Sequence, residues 1–475
     1  VGEGRDVKII TEVFNQMRLQ TVNEVMRHFG YFLFLAVFCL SVHAAETNSI
    51  VWNRTTDRVN ADVQGMALWP LLEKIAVEAG WHIYVEPDTT HMTSSKFKDL
   101  PSGDALKMLL GNLNFALVPQ TNGVPNLYVF HTTMKNATQR VPMPKAAPKH
   151  VPNELLVKLK PGADIDALAK AIGAKVIGRD DKLGIYRLQF ADAAATDAAL
   201  ASLKNNPDVE AVDYNYVFDP PVAPQLMANP PIAPLSLKLD PTTDSSDPCN
   251  VMVGLIDTPL QSLGSQLDQF VVKSISVAGD AKPDNTSPKH ATGMLYSLLF
   301  SASQAAHGSS SLRVVHVDVY GPNATTTSWD VALGVQAAVN NGATVLNLSL
   351  GSGGDSTVLD AIIKQAIADG IIIFAAAGNE SVDSATYPAA DPGVIAVTAT
   401  QNGQLAPYAD FGSFVSLALP GANVVYYGNQ AYVFQGTSVA TALATGVAAG
   451  TKGADCWPWT QIQSAMQQKF PVPTK

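Results

Sequence analysis

From residue 250 to the C-terminus, short apolar runs alternate with stretches of helical spacing, and this alternation constrains the chain more than any other feature. Val251-Met252-Val253-Gly254-Leu255-Ile256 reads as a buried strand that ends at Asp257. Ile371 to Ala377 reads as another, ended by Gly378 and Asn379, and small residues from Ser438 through Ala449 read as a close-packed helix. Buried strands separated by helices are the pattern of a mostly parallel sheet with helices on its faces. In such sheets, sites gather at the carboxyl ends of the strands. From Pro248 onward there are 8 basic and 14 acidic residues, and Glu380 is the only glutamate. So little charge suits a compact enzyme core. The whole chain has 475 residues, 47% of them hydrophobic, and a formal net charge of -10. Those values exclude global disorder and argue against nucleic acid as a partner, because phosphate contacts need clustered Lys and Arg.

Each polar residue at these strand and helix ends has two readings. Asp257 could orient a histidine or cap the next turn. Ser438 could cap a helix, or it could be a nucleophile whose own amide and helix dipole face a developing oxyanion. Asn379 could be a turn residue or could aim its amide at the same oxyanion.

Taken together, the segments "LIDTPL", "KHATGML", "VLNLSLGSGG", "FAAAGNE" and "FQGTSVATALATG" resemble the ordered motifs of subtilisin-like serine peptidases over about residues 250–465. The chain order is Asp, His, Ser. The resemblance implies an α/β fold with a mostly parallel sheet flanked by helices. It implies Asp257, His290 and Ser438 as the triad and Asn379 as an oxyanion donor with the Ser438 amide. Ser349, Leu350, Gly351, Ala375, Ala376 and Ala377 should line the substrate pocket, and protein or peptide chains should be the substrates. Charge is sparse around Leu350, Ala376 and Thr386, so neutral side chains should enter the pocket. Three motifs depart from the family pattern: Pro259 and Ala291 replace glycines, and Thr441-Ala442-Leu443 replaces Ser-Pro-His. Ala291 raises the question of a displaced histidine, with His307 and His316 as rival bases. The alternative is a weak or inactive envelope binding protein on the same fold. The chemistry needs no cofactor. Family members often bind structural calcium, but no acidic cluster here has calcium-loop spacing, and no metal site is assigned.

Upstream, residues 153–218 have the order β-α-β-β-α-β of a ferredoxin-like unit. "NELLVKLKPGADIDALAKAIGAKVIG" resembles the propeptide domain of many subtilisin-like proteases, which implies an intramolecular inhibitor. Residues 136–152 and 219–248 read as linkers. The second holds eight prolines and is expected to be exposed, extended and the place of self-cleavage between Val217 and Asp247. Residues 45–135 read as a small α+β unit, with helices over Leu68–Ala79 and Gly103–Leu113. "ALWPLLEKIAVEAGWHIYVEP" and "SGDALKMLLGNLNFALV" resemble the N-terminal domain shared by secretins and TonB-dependent receptors. This implies a Gram-negative envelope and a protein partner there.

Tyr31 to Leu40 is an apolar run about half the length a membrane-spanning helix needs. Arg27 and His28 precede it and Val42-His43-Ala44 follows, so residues 26–44 are expected to be a signal peptide cut after Ala44 or Ala45. The other reading is an uncut membrane anchor. Residues 1–25 carry Glu3, Asp6, Glu12 and Glu24, which does not suit a signal peptide, and read as an over-extended gene start ahead of Met26. The exported protein would be periplasmic or extracellular. Cys39 would be lost with the signal, leaving Cys249 and Cys456, expected to form a disulfide in an oxidising compartment.

Overall fold

The computed structural model describes residues 48–473 apart from 121–122, 142–146, 229–238, 242–248, 250, 265, 282–284 and 307–308. The expected extension, the signal peptide, Cys39, His307 and much of the second linker lie outside the described residues. The chain divides into two compact units, Val1–Val141 and Pro142–Lys475. No described helix is long and apolar enough to cross a membrane.

In the first unit, Leu68–Ala79 is a helix because Leu68, Leu71, Leu72, Ile75, Ala76 and Ala79 fall on one buried face. It stops at Gly80, whose φ of 72° suits a residue without Cβ. The second helix is Ser102–Leu110 and ends at Gly111, at φ 56°. It is shorter than the expected run to Leu113, because the glycine breaks it before the last leucine. Ser49–Asn53, Arg58–Ala67 and Met92–Pro101 form an antiparallel sheet. A second sheet orders Asn114–Gln120, Gly123–Phe130, His82–Val85 and Gln139–Arg140.

The second unit begins with the ferredoxin-like order His150–Leu159, helix Ile165–Ala171, Lys175–Asp180, Ile185–Gln189, helix Ala193–Leu203 and Val209–Phe218. Asp164 and Asp192 cap its two helices through their side chains. Its last strand continues beyond this unit. Val217 and Phe218 pair antiparallel with Thr327 and Thr326, and Phe218 is buried in the core that contains Leu350 and Ala375. The Arg187 guanidinium holds Glu154 at 2.7 and 2.9 Å. Glu154 in turn accepts from Asn215 Nδ2, and Asn215 Oδ1 accepts from the Trp329 amide at the start of helix Ser328–Asn340. Asp213 and Val212 take the Thr357 amide and hydroxyl at the start of helix Thr357–Ala368. The ferredoxin-like unit is thus docked by side chains that fill orphan positions at two helix N-termini.

The large sheet orders Val271–Ser276, Leu312–Asp318, Val251–Asp257, Val345–Leu348, Ile372–Ala376 and Ile395–Gln401, all parallel, with Leu417–Pro420 also parallel beside the last and Gln404–Leu405 antiparallel to it. Side chains alternate between two cores. Val251, Val253 and Leu255 face helices His290–Ala305 and Thr437–Asp455, whereas Ile256, Leu346 and Leu348 face Ser328–Asn340 and Thr357–Ala368. Glycines bring His290–Ala305 and Thr437–Asp455 close together. A Cβ at Gly446 would stand 2.1 Å from the Leu298 carbonyl, and one at Gly450 2.7 Å from that of Ala302. The second linker is not simply exposed. Gln225–Leu226 pairs with Gln430–Gln435, Asp240–Pro241 pairs with Ser309–Ser310, and Leu239 is buried. Apolar Leu239 carried part of that signal, whereas Leu226 is 59% exposed and attaches through its backbone.

Asp391, buried beside this sheet, gives a test by pH. Burial, then Asp360 and Asp355, push its carboxyl up to about 7, against a smaller opposing pull from Lys364. The folded state therefore binds a proton that the unfolded chain has lost. Stability should fall as pH rises from about 4 to about 7 and be flat above, by at most about 4 kcal/mol. Asp391→Asn should raise the melting temperature at pH 8 and leave it unchanged near pH 3. Thermal unfolding of both proteins across that range checks this; parallel curves would refute it.

Candidate active site

Asp257 is the last residue of its strand and is 2% exposed. His290 opens the helix His290–Ala305, and its Nδ1 lies 2.8 and 3.0 Å from the two Asp257 oxygens. A carboxylate accepts from Nδ1–H, so the pair fixes the tautomer and leaves Nε2 as the base. The Ala291 amide donates to Thr258 Oγ1 at 3.0 Å. The residue after the histidine is therefore tied to the residue after the aspartate, and alanine at 291 does not displace His290 from Asp257. Gly293 is needed one turn on, because a Cβ there would stand 2.4 Å from the Phe434 ring.

Ser438 is the second residue of helix Thr437–Asp455 and Gly436 is the N-cap, so the capping reading of this serine fails. Its Oγ donates to the Ser349 carbonyl at 2.9 Å, not to His290. Ser349 Oγ donates back to the Ser438 carbonyl and accepts from buried Asn347 Nδ2, and Asn347 Oδ1 receives Thr445 Oγ1 from the same helix. Asn347 thus locks the strand to the helix that carries the serine. Thr441 bonds Thr437, and Ala442 and Leu443 pack in the core, which accounts for that departure from the family motif.

Asn379 Oδ1 accepts from the Thr437 amide and hydroxyl at 2.8 and 3.1 Å. That leaves Nδ2, the donor end, for an oxyanion. Asp410 stabilises the loop carrying it and was not found by motif spacing. Fully buried, it accepts from the Glu380 and Val382 amides, while its own amide donates to the Gly378 carbonyl.

Ser438, Asn379, Ser349, Leu350, Gly351, Ala376 and Thr386 line one cleft. Ala375 and Ala377 do not: both are fully buried, because alternation along the strand turns their side chains inward. Glu380 and Asp410 also border the cleft, so it is less neutral than the composition around Leu350, Ala376 and Thr386 indicated. A Cβ at Gly351 would stand 2.5 Å from Thr386 Cγ2, so glycine keeps the pocket open. The lining also includes Asp219, Pro220, Pro221 and Val222, the tail of the ferredoxin-like unit. His316 is buried between Ser274 Oγ and the Thr258 carbonyl, each at 2.8 Å, and burial lowers its pKa. It is a neutral core residue and not the base. Among the described residues no group of three or more His, Cys, Asp or Glu is placed to hold a metal ion. Cys249 and Cys456 form a disulfide, with Cα atoms 4.8 Å apart.

A strand-end aspartate bonded to a helix-start histidine, with a serine at a second helix start beside an Asn-bearing loop, is the arrangement that the resemblance to subtilisin-like serine peptidases implies. Comparison with family models agrees: residues 249–471 match the Subtilase family, Peptidase S8, and residues 136–215 match the fervidolysin N-terminal prodomain. The segment is a subtilisin-like peptidase domain preceded by a fervidolysin-like prodomain. A thermophilic serine proteinase from Bacillus sp. (strain AK1) is 28% identical over 63% of this chain and 78% of its own length. A thermostable alkaline protease from Halalkalibacterium halodurans is 39% identical over 29% of this chain and 38% of its own. Subtilisin Savinase from Lederbergia lenta is 34% identical over 33% of this chain and 60% of its own. Apart from the first, the chain therefore spans less than two thirds of these relatives. The crystal structure of fervidolysin from Fervidobacterium pennivorans, a keratinolytic enzyme related to subtilisin, superposes with a TM-score of 0.48 at 18% identity, over 64% of this chain and 55% of that one.

Proposed function

We propose that this chain is an exported serine endopeptidase made as a zymogen, with its own prodomain as inhibitor. The observation that carries the reading is the buried His290–Asp257 pair in the same unit as a cleft that holds Ser438, Asn379 and the prodomain tail. Ser438 Oγ attacks the scissile carbonyl, His290 takes its proton and later gives it to the leaving amine, and Asp257 holds the imidazole and stabilises its charged form. Asn379 Nδ2 and the Ser438 amide hold the oxyanion. Water is the only other reactant. The first unit serves as a docking module for a protein of the Gram-negative envelope, which places the enzyme in the periplasm or outside the cell.

A binding protein on an inactive peptidase fold remains the competing reading. It is supported by the Ser438 hydroxyl pointing to Ser349 and not to His290. A fluorophosphonate separates the two, because it reacts only with an activated serine. We expect stoichiometric labelling of the processed protein at Ser438 and none in Ser438→Ala. Absence of label on folded, processed protein would favour the binding protein.

A further inference from the structure

We infer that the chain cuts itself at one bond, Val222–Ala223. The inference rests on the peptidase reading above and adds the site to it. The tail is gripped on both sides of the nucleophile. On one side Val217 and Phe218 pair with Thr327 and Thr326, Ser352 Oγ donates to the Val217 carbonyl at 2.9 Å, and Lys149 holds Asp219 at 2.7 Å. On the other, Gln225 and Leu226 pair with Val433 and Tyr432, and the Met227 amide donates to the Ala431 carbonyl at 2.9 Å. Residues 219–224 must therefore cross the cleft, a reach of about 20 Å for extended chain. The second partner strand, Gln430–Gln435, runs through Gly436 and Thr437 directly into Ser438. Carried two residues further, its register sets Ala223 opposite Gln435. Val222 is also the last tail residue to line the cleft with Ser438 and Asn379.

Chemistry narrows the choice to the same bond. Pro220, Pro221 and Pro224 touch every other bond between Asp219 and Gln225. A proline on the acyl side has no N–H to pair with the cleft wall, and its ring fixes φ. A proline on the leaving side presents a crowded tertiary nitrogen and restricts the residue before it. Val222–Ala223 alone has neither. The Val222 side chain is 51% exposed, so it must turn into the pocket kept open by Gly351 as the bond is cut. Ser438 Oγ then adds to the Val222 carbonyl carbon and its proton passes to His290 Nε2. The C–N bond breaks as that proton moves to the Ala223 nitrogen. Water next adds to the Val222 acyl-enzyme, giving one proton to His290 that returns to Ser438 Oγ. The products are a Val222 carboxylate and an Ala223 amine.

The full chain should be expressed as wild type, Val222→Pro, Ala223→Pro and Val222→Leu, then read by intact mass, N-terminal sequencing and fluorophosphonate labelling. Wild type and Val222→Leu should show a new amino terminus at residue 223. Both proline variants should stay uncut over the time in which wild type is fully processed. A terminus elsewhere in a labelled wild-type protein, or cutting before residue 223 in Val222→Pro, would overturn the assigned bond while leaving the peptidase reading intact. A wild type that is neither cut nor labelled would overturn both.

Discussion

Ser438→Ala leaves the prodomain attached and lowers peptide hydrolysis by about 10⁶-fold, the size known from subtilisins for loss of the nucleophile. The expectation follows from what else remains at the site. The His290–Asp257 pair, the Asn379 amide and the bond from Ser349 Oγ to the carbonyl of residue 438 persist in the variant, yet none can form the acyl bond, so only the binding and oxyanion contributions survive. Asn379→Ala should cost less, about 10²–10³-fold in kcat with little change in KM, again the range known from subtilisins. Its Nδ2 meets the oxygen only once charge has developed there. Asn379→Ala should therefore mature slowly but completely, whereas Ser438→Ala should not mature at all. Expression in a host without other envelope proteases, followed by intact mass, checks both. A Ser438→Ala chain cut at the wild-type bond would mean that processing is external.

Local chemistry was legible in the sequence and partnership over distance was not. The end of a buried strand at Asp257, the small-residue helix at Ser438 and the glycine before Asn379 are each written in a few adjacent residues, so the class of site could be read. Ala375 and Ala377 were misplaced because a motif names a segment, while strand alternation decides which of its side chains reach the cleft. Asp410 and Asn347 lie 31 and 91 residues from Asn379 and Ser438, and their roles exist only once parallel strands and the serine-bearing helix are assembled. The strand Met92–Pro101 was missed for another reason. Its polar sequence, MTSSKFKDLP, lacks the apolar alternation that marks a strand, and pairing with Arg58–Ala67 supplies the structure instead. The linker after Phe218 was read from its prolines, whereas two short backbone pairings, at Gln225–Leu226 and Asp240–Pro241, and buried Leu239 decide where it attaches.

Breaking the Cys249–Cys456 disulfide should lower the melting temperature by on the order of 10 °C. The bond ties the segment ahead of the first sheet strand, Val251–Asp257, to the C-cap of the helix that carries Ser438. The two cysteines are 207 residues apart, and a loop of that length gives a chain-entropy bound of roughly 5 kcal/mol, less any strain in the folded state. The stabilisation acts on the unfolded chain, so Cys249→Ser, Cys456→Ser and reduction of the wild type should converge on one lowered value, with the double variant no worse than either single one. Cys456 is exposed, so reductant can reach the bond without prior unfolding. Thermal unfolding with and without reductant measures the effect. Titration of the denatured, unreduced, signal-free protein should find no free thiol, and two free thiols would end the prediction. The same titration bears on where the protein works. A disulfide persists in an oxidising compartment and not in a reducing cytosol, so a chain retained inside the cell should carry both thiols, with the melting temperature of the reduced form.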